Sequence, residues 1–261
     1  MKGAILGDII GSVYEFDPIK TTDFPFKNDD CQFTDDSVLT IAIADAILSK
    51  KSYTSKIIEY AKDYPGRGYG GSFSCWIGKG GKAPYGSYGN GSAMRVSPVA
   101  WAFDDLKKVE YQAYESASVT HDHPEGIKGA QAVAACIFLA RMKHSKAKIK
   151  EYVEKKYEYC LSRTVASIRP NYSFSEICQT SVPEAIICFL ESNSVESAIR
   201  IAISLGGDAD TQACIAGSIA EAFYGKIEPE HEEYMFSVLD ERMADVLREF
   251  YRDYIDRKYA H

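Results

Sequence analysis

Two short runs of carboxylate and hydroxyl residues are the part of this sequence best suited to chemistry. One is residues 208–211, Asp-Ala-Asp-Thr, which follow Gly206-Gly207 at the end of an apolar helical pattern. The other is Thr34-Asp35-Asp36, which also lies just before an apolar run. Together they offer four carboxylates and two hydroxyls, and no thiolate. Oxygen-only ligands suit Mg²⁺, Mn²⁺ or Ca²⁺, so we expect the two runs to meet and hold divalent metal.

Two ions are a more natural complement to this set than one. Four carboxylates brought together would repel one another strongly unless cations neutralised them. A metal pair roughly 3.5–4 Å apart can orient a substrate and activate a water molecule for hydrolysis. Each run also has a simpler explanation, because Thr and Asp are common helix N-caps and acids are favoured in the first turn. On spacing alone, two independent caps, a structural metal and a catalytic pair all stay open.

The elements that must position these runs are helical by their apolar spacing. The pattern predicts a helix over residues 3–16, with glycines at every fourth position from Gly3 to Gly11. Because each glycine weakens a helix by roughly 1 kcal/mol relative to alanine, three on one face indicate close packing against another backbone. Asp8 and Glu15 lie on a neighbouring face, where a solvated polar stripe is the simpler explanation for the acids taken alone. Against it, apolar residues crowd the same turns, so we expect the helix to be mostly buried; they are Ile9, Ile10, Val13, Tyr14 and Phe16.

The rest of the chain also shows helical patterns and no alternating strand pattern of useful length. Residues 160–181 are expected to be mostly irregular. No linker or repeat is visible, so the sequence predicts one all-α domain over residues 1–261 with a long glycine-rich loop. The further helices are predicted over 34–48, 54–63, 73–77, 93–103, 108–118, 124–141, 146–159, 183–191, 195–205, 213–224 and, as one or two helices, 230–257.

The glycine-rich loop and a histidine pair are further candidates for a binding site. Residues 66–92 hold ten of the 19 glycines, and a connector of that length is usually functional or disordered. Its end, residues 89–92, leads into a helical pattern, and such a turn exposes backbone N–H groups that suit a phosphate. For His121 we weigh loop capping and ligand contact equally, whereas His123 is better explained by a structural role, because HxH alone is a weak zinc signal.

Composition narrows the class of protein. The formal net charge of -7 gives no general electrostatic reason to bind nucleic acid or an anionic membrane. Seven scattered cysteines without a CxxC pair fit reduced thiols better than disulfides or a zinc site. No apolar run approaches the roughly 20 residues needed to span a bilayer, and no signal peptide is convincing. We therefore expect a cytoplasmic protein, and a monomer.

Five stretches, taken in order, resemble the ADP-ribosylglycohydrolase family. Each is weakly specific by itself, but their common order along most of the chain is a strong signal. Ser37 departs from the pattern, since the family usually has a second threonine there, but it keeps the hydroxyl. The resemblance implies an all-α, compact orthogonal helical domain with a pair of Mg²⁺ or Mn²⁺ ions at its centre. The stretches are residues 7–16, 34–37, 89–95, 120–121 and 206–211.

The resemblance also implies roles for individual residues. Glu15 matches the family's active-site glutamate, and Asp35 and Asp208 would serve both catalysis and metal binding. Asp8 matches a motif position, and we assign it no catalytic role. The implied metal ligands are Thr34, Asp35, Asp36, Asp208, Asp210 and Thr211. The implied ADP-ribose contacts are Gly89, Asn90, Gly91, Ser92 and His121.

The activity implied by the resemblance is metal-dependent hydrolysis of the glycosidic bond at the anomeric carbon of ADP-ribose. The substrate would be an ADP-ribosylated protein, with an arginine-type linkage favoured, or a small ADP-ribosyl conjugate. Two alternatives stay open. One is a non-catalytic ADP-ribose-binding or crystallin-like structural protein on the same scaffold. The other is a two-metal phosphohydrolase acting on a nucleotide diphosphate, which the carboxylates alone permit.

Overall fold

The computed structural model describes residues 1–256, which form helices joined by loops, without a β-strand in that range. An isolated antiparallel bridge joins Gly89 to Ile177. The predicted all-α class is therefore confirmed. The α-helices are α1 (Lys2–Gly11), α2 (Asp35–Ser49), α3 (Tyr53–Asp63), α4 (Gly71–Gly78), α5 (Gly91–Met94), α6 (Ser97–Ala102), α7 (Leu106–Ser118), α8 (Pro124–Arg141), α9 (Lys146–Tyr157), α10 (Val165–Ile168), α11 (Cys178–Glu191), α12 (Val195–Ile203), α13 (Ala209–Tyr224), α14 (Pro229–Val238) and α15 (Glu241–Phe250), with a 3₁₀ turn at Arg169–Asn171 and a π turn at Tyr251–Ile255.

Helices α1 and α13 pack backbone against backbone at the centre of the fold. A Cβ at Gly3 or Gly7 would overlap the carbonyl of Gly217 or Ala213 on α13. A Cβ at Gly11 would lie 2.5 Å from Cα of Asp210. The close packing predicted from the glycine spacing is therefore confirmed, and it brings Asp8 of α1 within reach of the first turn of α13.

Helix α2 is buried on nearly all sides, as its uniformly apolar sequence predicts. Its N-cap is Thr34, whose side-chain oxygen accepts a hydrogen bond from the N–H of Asp36 at 3.3 Å. Helix α13 begins at the same place in the molecule, after Asp208. Two helix N-termini, which favour negative charge, therefore converge on the carboxylates.

Two helices differ from the prediction near the candidate site. Helix α1 ends at Gly11, so Glu15 lies in a turn beyond it and is not on a helix face. The pattern predicted over 93–103 is split into α5 and α6. Pro98 has no N–H to donate to the carbonyl of Met94, and this breaks the helix. Side chains from α2 and α13 reach that carbonyl instead, with Cys214 Sγ 3.4 Å away.

Two further differences lie away from the site. Helix α11 begins at Cys178, ahead of the predicted start, and carries Pro183 inside it. Its first turns are buried, and this packing outweighs the proline signal. The stretch expected to be irregular also contains the short helix α10. The predicted C-terminal segment forms α14 and α15, and its last residue, 257, lies outside the described residues.

One continuous core of apolar side chains runs through these helices, so residues 1–256 form a single helical domain. No helix in this range is long and apolar enough to cross a membrane.

The α1–α13 contact can be tested with Gly7→Ala. The added methyl group would force the two backbones apart, and we expect the free energy of unfolding to fall by about 2–4 kcal/mol. Urea denaturation of the metal-free protein measures this loss. Gly78→Ala is the matched control, because nothing lies within 4 Å of a Cβ at that helical position. Equal stability of the two variants would contradict the close packing.

Candidate metal centre and active site

The two acidic runs meet at the N-termini of α2 and α13, together with two acids from the N-terminal segment. Asp8, Asp36 and Asp210 each offer a carboxylate oxygen within 4.8 Å of the others. Glu15, Asp208 and Asp210 form a second such group. Asp210 belongs to both groups, so the five carboxylates are one continuous cluster. Spacing alone left open the possibility of two independent caps. In the structure the two runs are in contact, since Asp36 and Asp210 belong to the same group.

Asp8 is the buried anchor of this cluster. Its carboxylate accepts hydrogen bonds from the N–H groups of Thr34 and Ser37, both at 3.0 Å. It also accepts from the Thr34 hydroxyl at 2.6 Å and from the Ser37 hydroxyl. From the sequence, Asp8 was expected to have no role beyond a motif position. Its signal was its place beside Gly7, on the helix that packs against α13.

Asp208 and Thr211 connect the second run to the rest of the cluster. Asp208 occupies the N-cap position of α13 but makes no side-chain capping bond. It accepts a hydrogen bond from the Asn90 amide at 2.7 Å. The Thr211 hydroxyl donates to Asp36 Oδ2 at 3.2 Å. A capping role therefore does not explain Asp208, and both side chains are directed into the cluster.

Thr34 and Asp35 lie differently from the other predicted ligands. The Thr34 hydroxyl caps α2 and donates its proton to Asp8. The N-cap role that the sequence offered as the simpler explanation is therefore observed for this residue. Asp35 lines the neighbouring cavity, partly buried, but joins neither three-carboxylate group. Its N–H donates to the carbonyl of Arg67 at 2.7 Å, which ties the start of α2 to the glycine-rich loop.

Burial raises the pKa of every carboxyl group in the cluster, and repulsion by neighbouring carboxylates adds to this for all of them except Asp8. For Asp36, burial is the main cause, followed by the charge of Asp210, and the pKa lies well above its usual range. Asp208 reaches a pKa of about 6, because hydrogen bonds from Asp210 and Asn90 offset part of the burial. Burial, then Asp210, raises the pKa of Glu15 to about 8.

The donor set fits hard divalent cations. Within residues 1–256, no lysine, arginine or histidine forms an ion pair with these carboxylates. Asp36 Oδ1 is buried and has no hydrogen-bond partner. A buried, unpaired carboxylate oxygen is costly unless a cation or a proton balances it. Carboxylate and hydroxyl oxygens suit Mg²⁺ and Mn²⁺.

A cavity of about 420 Å³ opens above the cluster. This volume lies in the range of small-molecule sites, which usually combine apolar walls with a few polar groups. Its lower wall is acidic, with Asp35, Asp36, Asp208 and Asp210 exposed to the cavity. The upper walls come from the glycine-rich loop, the His121 loop and the segment before α11, through residues Gly68, Gly70, Gly71, Ser72, Phe73, Tyr85, Gly86, Ser87, Tyr88, Gly89, Asn90, Gly91, Arg95, His121, Phe174, Glu176 and Ile177.

The residues of the predicted phosphate turn, 89–92, do not all face the cavity. Gly89, Asn90 and Gly91 line the cavity, but the Ser92 hydroxyl is buried and donates to the carbonyl of Gly126 at 2.8 Å. The Asn90 side chain reaches Asp208 in the carboxylate cluster instead. The N–H groups of Gly89 and Asn90 already have partners in Ser87 Oγ and the carbonyl of Glu176. The N–H groups of Gly91 and Ser92, at the start of α5, have no partner inside the helix.

The two histidines have separate positions. His121 is buried in the cavity wall, and its Nε2 lies 3.2 Å from where a Cβ of Gly91 would be. His123 caps α8, accepting from the N–H of Glu125 at 3.1 Å. The structural reading preferred for His123 is therefore confirmed, and His121 is the member of the pair that faces the cavity.

Lys20 and Tyr172 hold the Gly206-Gly207 turn that precedes Asp208. Gly206 has φ +65, which favours glycine, and the Lys20 amine donates to the carbonyls of Leu205 and Tyr172 beside it. A Cβ at Gly207 would overlap the Tyr172 ring. The sequence gave no signal for either clamp residue, because both lie in segments without a helical pattern.

Comparisons with known proteins agree on one family. A family model described as ADP-ribosylglycohydrolase matches residues 1–254. ADP-ribosylhydrolase ARH3 from Homo sapiens is 28% identical over 306 residues, covering 86% of this chain and 84% of that protein. ADP-ribosylarginine hydrolase Tri1 from Pseudomonas putida (strain GB-1) is 26% identical over 271 residues, covering 86% of this chain and 70% of that protein.

A solved structure shares the fold. It belongs to an "ADP-ribosylglycohydrolase-related protein complex" and matches with a TM-score of 0.71 at 20% identity, covering 96% of this chain and 94% of that chain. At this identity the likeness establishes the arrangement of helices alone.

The cluster makes stability depend on pH in a defined direction. An acid whose pKa is higher in the folded protein binds its proton more tightly there, so stability falls as pH rises from the unfolded to the folded pKa. For Asp208 this window runs from 3.8 to about 6, and for Glu15 from 4.5 to about 8. We therefore expect the Tm of the metal-free protein to fall between about pH 4 and pH 8, and Mg²⁺ or Mn²⁺ to reverse the fall.

Asp36→Asn tests whether the cluster causes this fall. Removing one buried charge should raise the metal-free Tm near pH 8, by roughly 2–4 °C per kcal/mol of relieved repulsion, and weaken the response to metal. Differential scanning calorimetry with and without chelator measures both effects. Asp245→Asn, an exposed change on α15, is the control. A metal-free Tm that does not change with pH, or an unchanged metal response in Asp36→Asn, would contradict the assignment.

Proposed function

The chain belongs to the ADP-ribosylglycohydrolase family and is a glycohydrolase, and we propose that it uses two Mg²⁺ or Mn²⁺ ions to hydrolyse the glycosidic bond at the anomeric carbon of ADP-ribose. One observation carries the proposal beyond the family. Two three-carboxylate groups that share Asp210 lie at the acidic wall of a cavity large enough for a small-molecule substrate. This arrangement supports a catalytic pair over two unrelated helix caps.

The residues that would hold the ions come from the two runs. Asp36, Asp208 and Asp210 are directed into the cluster, Thr211 lies beside Asp36, and Asp35 faces the cavity. When bound, the ions would neutralise the carboxylates and stabilise negative charge that develops on oxygen during hydrolysis. Asp8 would hold Thr34 and Ser37 in place from behind, and Asn90 would orient Asp208. We retain Thr34 as a ligand in this proposal, since its hydroxyl proton is directed to Asp8 and its oxygen keeps a lone pair.

Glu15 is the group best placed to move a proton. It is partly buried, belongs to the group with Asp208 and Asp210, and has a pKa of about 8. A catalytic acid or base works best with a pKa near the working pH. Because Glu15 lies in a turn after α1 and not on the helix, its carboxyl group sits at the edge of the cluster. From there it would donate to a leaving group or accept from a water molecule.

The diphosphate of ADP-ribose would lie at the part of the cavity lined by Gly91 and His121. The N–H group of Gly91 and the ring of His121 would be donors there, and the N–H group of Ser92, the next residue, would be a third. Ser92 would therefore contribute its backbone alone. A cavity lined by both carboxylates and N–H donors suits a substrate with an anomeric carbon at one end and an anion further along.

We favour an arginine-type leaving group, either on a protein or in a small conjugate. Phe16, directly after Glu15, is 83% exposed, and its ring lies 6.4 Å from that of Phe174 at an interplanar angle of 23°. Phe174 also lines the cavity. Aromatic faces next to carboxylates attract planar cations such as guanidinium. The relative Tri1, named as an ADP-ribosylarginine hydrolase, supports the same class.

Asp208→Ala and Asp35→Ala test the metal-dependent reaction. We expect each to lower the hydrolysis of ADP-ribosylated protein by roughly 10²–10³-fold or more, as when a preorganised electrostatic group is lost from an active site. Mass spectrometry of the products, with circular dichroism to confirm folding, is the measurement. Asp245→Ala should keep full activity. Retained activity in a folded Asp208→Ala variant would refute the assignment, and AMP in place of ADP-ribose would favour the phosphohydrolase alternative.

Phe16→Ala tests the leaving group. Loss of the ring should lower kcat/KM for ADP-ribosyl-arginine by roughly 3- to 30-fold, the range of a cation–π contact. A small neutral acetyl conjugate of ADP-ribose should be hydrolysed at nearly the wild-type rate. Phe16→Tyr keeps the aromatic face and should behave like wild type with both substrates. An equal loss with both substrates would show that Phe16 does not recognise the leaving group.

A further inference from the structure

Hydrogen bonds join three buried residues, Arg95, Thr120 and His121, in a relay that ends at the His121 ring. We propose that Arg95 and Thr120 are positioning residues that hold His121 with its proton on Nε2, so that Nε2–H donates to an anionic oxygen at the Gly91 turn. The identity of that anion, a diphosphate, rests on the proposed function. The proton position rests on this chain's own hydrogen bonds.

The relay begins at Arg95, whose side chain is completely buried. Its Nη2 donates to the carbonyl of Ser116 at 3.1 Å and to the Thr120 hydroxyl at 2.9 Å. A guanidinium group has donors only, so the Thr120 oxygen must be the acceptor in this contact. One lone pair of the hydroxyl is therefore used by a cation, which also makes its O–H a stronger donor.

The Thr120 hydroxyl then has one proton to give. His121 Nδ1 lies 2.7 Å from this oxygen, closer than the Arg95 Nη2 at 2.9 Å. If Thr120 donates there, Nδ1 is an acceptor and the ring proton must sit on Nε2. The phenol of Tyr85 also adjoins the Thr120 hydroxyl. The two contacts of that hydroxyl to Arg95 and to His121 therefore carry the assignment of the ring proton.

The charge state of His121 agrees with a single ring proton. Burial, followed by the charge of Arg95, lowers the pKa of His121 well below its usual range, so the ring is neutral near pH 7. A neutral imidazole has one donor and one acceptor, and an anion can be bound only by the donor. The relay sets which ring nitrogen carries the proton. An anionic oxygen is attracted if the nitrogen facing it is protonated, and repelled if that nitrogen presents a lone pair.

The other side of the ring faces the predicted phosphate turn. Nε2 lies 3.2 Å and 3.6 Å from where Cβ atoms of Gly91 and Gly89 would be. The N–H groups of Gly89 and Asn90 in this turn already have partners. Only the N–H groups of Gly91 and Ser92 therefore remain to bind an anion at this turn. The Nε2–H of His121 would add a third donor. Arg95, with a pKa of about 10, stays charged behind the ring and adds positive potential.

The proton position can be read directly by nitrogen-15 NMR. Long-range proton–nitrogen spectra of the full chain, with His121 assigned by comparison with His121→Gln, distinguish a protonated Nε2 from a protonated Nδ1. We expect protonated Nε2 in the wild-type protein and in Thr120→Ser. Thr120→Val offers Nδ1 neither a donor nor an acceptor, so the ring should no longer be held in one form and should show both protonated Nε2 and protonated Nδ1. A protonated Nδ1 in the wild-type protein would overturn the proposal without any assay of activity.

Substrate kinetics test the consequence. Thr120→Val should raise KM for ADP-ribosyl-arginine, and Kd for free ADP-ribose, by roughly tenfold, with kcat changed little, because a hydrogen bond to a charged group is lost. Thr120→Ser should restore both values, and Thr54→Val is the control for the same substitution on α3. Unchanged KM and Kd in folded Thr120→Val would overturn the donor role. A wild-type protein that neither binds ADP-ribose nor hydrolyses its conjugates would refute the proposed function, while the NMR result still decides the relay.

Discussion

Repulsion among carboxylates held close together in a dry interior is the constraint on which this structure depends. Asp8, Asp36 and Asp210 offer oxygens within 4.8 Å of one another, and burial removes the water that would screen them. The fold gives partial relief through hydrogen bonds from hydroxyl and N–H groups and through two converging helix N-termini. These dipoles do not balance several full charges, and one oxygen of Asp36 has no partner at all. Protons balance the cluster in the metal-free protein, and hard divalent cations suit the same oxygens.

The fold keeps the cluster together by backbone contacts that larger residues would prevent. Glycines along α1 allow it to touch α13, which places Asp8 beside Asp210. The Gly206-Gly207 turn allows Lys20 and Tyr172 to grip the chain just before Asp208. Both contacts are made by backbone atoms next to the cluster, and at Gly11 the contact is with the backbone of Asp210 itself. These contacts hold the carboxylates close together although they repel one another. In α1 this requires glycine at positions where alanine would give a more stable helix.

The cavity joins two regions of opposite electrostatic character. The carboxylates and Glu15 form one wall, and the other has N–H groups with the buried guanidinium of Arg95 behind them. A substrate with a diphosphate and a glycosidic carbon can span both. The position of Glu15 follows from the same geometry. Helix α1 ends at Gly11, and the turn that follows places the Glu15 carboxyl group at the edge of the cluster. The next residue, Phe16, has an exposed ring.

The sequence by itself determined the helical class, the close contact of the α1 glycines and the meeting of Asp36 with Asp208 and Asp210. The first two features follow from local spacing, because periodicity sets helix faces and small residues permit close approach. The meeting of the two acidic runs was inferred from their matching donor chemistry, since spacing alone left it open. Only the tertiary structure decided that Asp8 anchors the cluster, that Asn90 reaches Asp208, and that the Ser92 hydroxyl is buried away from the cavity. Each of these depends on which groups, distant in sequence, compete for the same donor or acceptor. That competition is settled by packing in three dimensions, and no local pattern in the chain records it.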